Sequence, residues 1–144
     1  MGQKYSKILV AIDGSKAAEK AFHKAIDMAK SNDATLVLSH VIDSRTFATA
    51  EAYDRTLAER ANKYALELLE DYIKVAKENG VEKIDKTIDY GSPKVKIAKD
   101  IAKVHEIDLI VCGATGLNAV ERFLIGSVSE SITRHASCDV LVVR

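Results

Sequence analysis

Five short apolar runs separated by four stretches of helical period run the length of this 144-residue chain, and that alternation constrains its fold more than any other feature. The runs are Lys7 to Ile12, Thr35 to Ile42, Val81 to Asp89, Ile107 to Cys112 and Val140 to Val143. Strands alternating with helices predict a parallel sheet covered on both faces, and right-handed crossovers restrict it to a doubly wound, Rossmann-like α/β form. In such sheets ligands bind beyond the carboxyl ends of the strands, where the winding reverses. Functional residues are therefore sought at strand ends.

The helical stretches differ in clarity. Ala18, Ala21, Phe22, Ala25, Ile26 and Ala29 trace one face of a first helix, which Ser31-Asn32-Asp33 ends. Tyr53, Leu57, Ala61, Tyr64, Leu68, Tyr72 and Val75 predict the inner face of a second, stopped by Asn79-Gly80. Ser92-Pro93 opens a third with Ser as N-cap and Pro at the first helical position; its inner face is read as Ile97, Ala98, Ile101, Ala102 and Val104. The third apolar run is charged and alternating, as suits a sheet edge.

From the end of the fourth run the chain reads V-C-G-A-T-G-L-N-A-V-E-R-F-L-I-G-S-V-S, Val111 to Ser129. Gly113, Gly116, Gly126 and Ser127 form a G-x2-G-x9-G-S pattern, and Ser127-Val128-Ser129-Glu130 is S-x-x-E. The latter predicts a helix capped by Ser127, with Glu130 reaching back to it. Free amides and the positive end of the helix dipole would then lie beside Gly126, a combination that attracts phosphate. A capping box and chain-turning glycines also explain these residues without any ligand.

The spaced glycines and the early I-L-V-A-I-D-G-S resemble the universal stress protein family, in particular its nucleotide-binding branch, from Lys7 to Arg144. The resemblance implies one domain over residues 1–144 and a five-stranded sheet of order 3-2-1-4-5. The winding then reverses between strands one and four, so Asp13 and Gly113, about a hundred residues apart, converge on one crevice. It implies contact of Asp13 with ribose or adenine, backbone contacts to adenine near Val41, and apolar wall from Ala11 and Ile12. Its phosphate loop falls on Gly113, Gly116, Gly126, Ser127 and Ser129, with Thr115, Leu117 and Val128 lining it. The implied ligand is ATP or AMP, with Mg²⁺ bridging the phosphates. The implied assembly is a homodimer paired through the uncovered edge strand Val140 to Val143.

Composition narrows the remaining classes. Hydrophobic residues at 47% and charged residues at 29% are those of a soluble globular protein. Twenty-one basic and twenty-one acidic side chains cancel, which argues against nucleic acid or a membrane surface as partner. No apolar run approaches the roughly 20 residues of a membrane span. Cys112 and Cys138 lack metal-ligand spacing and read as reduced thiols, and the short polar start, Met1 to Ser6, is not expected to act as a signal peptide. A cytoplasmic protein is expected.

No nucleophile paired with a base is evident, and G-x-S-x-G is missing. Arg122 and Arg45 read as solvated loop arginines, His40 as a core or edge histidine, and His23, His105 and His135 as scattered. The expected function is a nucleotide-binding stress sensor or regulator with at most slow ATP hydrolysis. The competing readings are an ATPase or nucleotidyl transferase on the same scaffold, and an interaction module with an empty crevice.

Overall fold

The computed structural model describes residues 5–43, 55–115 and 125–144. In chain order the elements are β1 (Lys7–Ala11), α1 (Lys16–Asn32), β2 (Thr35–Asp43), α2 (Arg55–Glu78) and β3 (Ile84–Gly91). Then come α3 (α-helical over Pro93–Val95, π-helical over Lys96–Ile101, α-helical over Ala102–Val104), β4 (Leu109–Gly113), α4 (Ser127–His135) and β5 (Asp139–Val143). The strands form one parallel sheet of order β3-β2-β1-β4-β5. The expected winding is observed, with its reversal between β1 and β4.

Strand periodicity divides the core in two. On one face Ile8, Val10, Leu36, Leu38, Leu109 and Val111 pack against Ala21, Phe22, Ala25 and Ile26 of α1 and Leu69 and Ala76 of α2. On the other Leu9, Val37, Ile110 and Cys112 pack against Ile97, Ile101 and Ala102 of α3 and Ile132 of α4. All six residues expected on the inner face of α1 are buried.

Two apolar residues read as strand belong instead to helix ends. Val81 is buried, yet its amide donates to Ala76 O at 3.1 Å while that of Gly80, at φ 93°, donates to Lys77 O at 3.1 Å. Ile107 repeats this beyond α3: its amide donates to Ala102 O at 2.8 Å, and that of Glu106, at φ 54°, to Lys103 O at 3.2 Å. These are Schellman closures, whose last residue folds an apolar side chain back under the helix. β3 and β4 consequently start late, at Ile84 and Leu109.

The inner faces of α2 and α3 also depart from expectation. Ala58, Ala65, Leu69 and Ala76 are the buried line of α2, whereas Leu57 and Tyr64 are exposed; Tyr53 lies outside the described residues. Alanines let the helix axis approach the sheet, and Leu68, Tyr72 and Val75 pack from the flanks. In α3, Ile97, Ala98, Ile101 and Ala102 are buried as expected but Val104 is 76% exposed. The wide π turn shifts the phase of the helix, and Ile107 occupies the core beside Ile101 and Ala102.

Candidate functional site

The carboxyl end of β1 is held by a relay of side-chain caps. The Asp13 carboxylate accepts from the Ser15 amide through Oδ1 at 2.8 Å. Ser15 is the N-cap of α1, and its Oγ accepts from the Ala18 amide at 3.1 Å. Between them Gly14 takes φ 85°, and a Cβ there would stand 2.8 Å from the Tyr64 hydroxyl. Asp13 thus holds the turn that leads into the N-cap Ser15, yet it remains half-buried, with a second oxygen that can still accept. Burial pushes the Tyr72 phenol up, and the Glu19 and Asp13 carboxylates add to the shift.

The carboxyl end of β4 is built differently. Gly113 is buried, and a Cβ on it would lie 2.7 Å from the Ala17 carbonyl carbon and 2.8 Å from its Cβ. Glycine is required there so that α1 can lie against β4. The Ala114 amide donates to Val143 O at 2.8 Å, and its carbonyl accepts from the Gly126 amide at 2.6 Å. That bond brings the start of α4 directly to the end of β4. Thr115 beside it is half-buried; Gly116, Leu117 and Arg122 lie outside the described residues, as does Arg45.

The start of α4 corrects the expected capping box. The N-cap is Gly126, at φ −64° and ψ 157°, with no side-chain capping bond; Ser127 is the exposed first helical residue. Glu130 pairs forward with Arg134, Oε1 to Nη2 at 2.7 Å, instead of reaching back. A glycine at the cap has no oxygen to offer, so the first-turn amides receive no acceptor from it. Ser129 was expected to offer its hydroxyl to phosphate, but it is buried and donates that proton to Gly113 O. Ser129 therefore ties the helix to the strand, leaving Ser127 as the outward hydroxyl.

The apolar wall is also selective. Ala11, Val41 and Val128 are half-buried and pack on the β-sheet face covered by α3 and α4. Ile12 points to the opposite face, 2% exposed, in the core with α1 and α2, so its side chain is not wall. Of the predicted residues, Ala11 and Asp13 lie at the end of β1 and Gly113 and Thr115 at the end of β4, the strands that flank the reversal. Gly126, Ser127 and Val128 open α4, and Val41 lies near the end of the neighbouring β2.

His40 is a residue whose place the sequence did not reveal. It is half-buried, and its Nδ1 lies 2.7 Å from Ile12 O. Its position near the end of an apolar β2 was the available signal. Burial pushes the Cys112 thiol up, partly offset by the neighbouring Ser129 hydroxyl; burial likewise raises Cys138. Among the described residues no three His, Cys, Asp or Glu side chains gather as a metal site. No helix among them is long and apolar enough to cross a membrane.

The sequence profile described as the universal stress protein family matches residues 4–144. The chain belongs to that family. It is 52% identical over 140 residues to a universal stress protein of Staphylococcus haemolyticus, covering 97% of this chain and 85% of the relative. Its fold superposes on universal stress protein UspA from Lactobacillus plantarum with a TM-score of 0.87 at 35% identity, covering 97% and 98% of the two chains. A universal stress protein solved in complex with cAMP shares the fold at TM-score 0.75 and 24% identity, covering 97% of each chain. As a member of the family, the chain places an acidic strand end and an uncapped helix start on either side of the sheet's reversal point.

Proposed function

We propose that this protein binds an adenine nucleotide, ATP or AMP, and acts as a cytoplasmic homodimeric stress sensor or regulator. The observation that carries the reading is the uncapped start of α4, joined to the end of β4 by the 2.6 Å bond from Gly126 to Ala114 O, across the reversal from Asp13. Amides without a side-chain acceptor and the helix dipole favour phosphate oxygens. The Asp13 carboxylate suits a ribose diol or an adenine donor, and Ala11, Val41 and Val128 supply apolar contact for the base. Gly116, Leu117 and Thr115 would complete the loop. Mg²⁺ would be held mainly by the phosphates, which recruit it by their own charge.

Slow turnover fits the same geometry. The imidazole bonds of the described residues go to Ile12 O from His40 and to Ser131 from His135, so neither activates Ser127. Two free cysteines suit a reducing compartment. For assembly, Val140 to Val143 are half-exposed on the edge strand β5, where backbone groups of a second copy could pair. A second reading draws on Gly113, whose contact with Ala17 explains that glycine without a ligand and suits an interaction module.

The deciding experiment is mass spectrometry of small molecules released on denaturing the purified protein, followed by titration with Mg-ATP and AMP. Released adenine nucleotide, lost in Asp13→Ala and Gly126→Val, supports the assignment. No release and no binding at millimolar nucleotide leaves the interaction module. Turnover near the enzyme median of about 10 per second overturns the regulator.

A further inference from the structure

We propose that His40 is a positioning residue for the Asp13 carboxylate, acting through the carbonyl of Ile12 at the end of β1. Its consequence for ligand binding rests on the nucleotide reading above; its effect on Asp13 does not.

The regular ladder of β1 stops at Ala11, so the next peptide needs other partners. β2 grips Ile12 from both sides. The Ile12 amide donates to Ser39 O at 2.8 Å, and the Ile12 carbonyl meets His40 Nδ1 at 2.7 Å. A carbonyl oxygen only accepts, so the ring proton on this side must be at Nδ1, and in the neutral ring Nε2 is left as the acceptor. The Ile12 carbonyl shares one rigid plane with the Asp13 nitrogen and Cα. Fixing the direction of that carbonyl therefore fixes where the Asp13 side chain begins.

Two further contacts complete the grip. Downstream, the Ser15 amide holds Asp13 Oδ1. Beside the ring, Tyr64 meets His40 edge to face, centroids 6.3 Å apart at 71°, and the Tyr64 hydroxyl closes on the Gly14 turn. Asp13 is thus aimed from before by His40 and from after by Ser15. An aliphatic residue at position 40 would continue the apolar stripe of Leu36, Leu38 and Ile42 on this face but would offer no donor to Ile12.

The test uses His40→Ala and His40→Asn in the full chain, since the Asn amide nitrogen can stand where Nδ1 stands. AMP and Mg-ATP titrations are paired with hydrogen exchange at the Ser15 amide in ligand-free protein. His40→Ala should weaken both nucleotides about fivefold, the scale of one net hydrogen bond, and speed Ser15 exchange; His40→Asn should restore both. A residue that merely filled space would lower melting temperature in both variants without this rescue. Wild-type affinity and Ser15 protection in His40→Ala, or no rescue by Asn, overturns the proposal. The ¹⁵N shifts of the unmutated ring must also show the proton on Nδ1, and a proton on Nε2 overturns it even if the alanine variant fails to fold. If the wild type binds neither nucleotide, the nucleotide reading falls and Ser15 exchange with the ring tautomer decides the role of His40.

Discussion

The two strand ends flanking the sheet's reversal each lead to a helix, and they treat that helix in opposite ways. At β1 the polar groups are spent locally: Asp13 holds the Ser15 amide, and the Ser15 hydroxyl oxygen caps the Ala18 amide of α1. At β4 the cap is a glycine, Ser129 is turned inward to Gly113 O, and Glu130 is drawn off by Arg134. A helix start whose cap offers a side-chain oxygen satisfies part of itself, whereas a glycine cap leaves first-turn amides open to an outside acceptor, which is the contrast the proposed phosphate site rests on.

Supplying the missing cap should remove the contrast most sharply. Gly126→Asp places a carboxylate where phosphate is proposed to sit, so Mg-ATP affinity should fall about a hundredfold through like-charge repulsion. Denaturation should meanwhile show unchanged or higher stability, by about 0.5–1 kcal/mol. Retained ATP binding in this variant would move the anion site elsewhere. Gly113→Ala tests the opposite property: its Cβ has no room against Ala17, and overpacking of this kind costs about 1–3 kcal/mol in urea melts.

Serine substitutions should sharpen the comparison at smaller scale. Ser15→Ala removes a real cap and should cost about 1 kcal/mol with nucleotide affinity unchanged. Ser129→Ala loses a buried bond and should cost about 1 kcal/mol. Ser127→Ala, at an exposed position, should change stability by less than about 0.5 kcal/mol and weaken ATP binding. Reversal of the two α4 effects would mean that Ser129, not Ser127, faces the ligand.

The smallest expected effect is in pH. Burial raises the Cys112 thiol, so the folded state keeps its proton where the unfolded chain loses it. The sign follows: this contribution is fully present below the unfolded thiol value of about 8.5 and is lost as pH rises towards the folded one. Melting temperature should decline above that pH, less steeply in Cys112→Ala. An identical slope would show that the thiol is not the group responsible.

Much of the architecture was legible because short apolar runs and the six-residue face of α1 follow directly from strand and helix period. The misreadings have one cause. Val81 and Ile107 are apolar and adjoin strands, but whether such a residue extends the strand or closes the preceding helix depends on backbone bonds to Ala76 and Ala102. Tyr64 and Leu57 outweighed Ala58 and Ala65 in hydrophobicity, yet close packing of helix on sheet selects the small residues. At the site, S-x-x-E was a valid local pattern overruled by contacts with Gly113 and Arg134. Gly116 and Leu117 lie outside the described residues.

By itself the sequence determined the α/β class, the inner face of α1 and the presence of an acidic strand end and a glycine-spaced loop, because these depend on local period and residue type. Tertiary structure alone decided which serine faces outward, why Gly113 must be glycine and what His40 touches. Each of those turns on atoms distant in sequence: Ser129 on Gly113, Gly113 on Ala17, and His40 on Ile12. A hydrogen bond or steric contact has no local signature until the strands have brought its partners together.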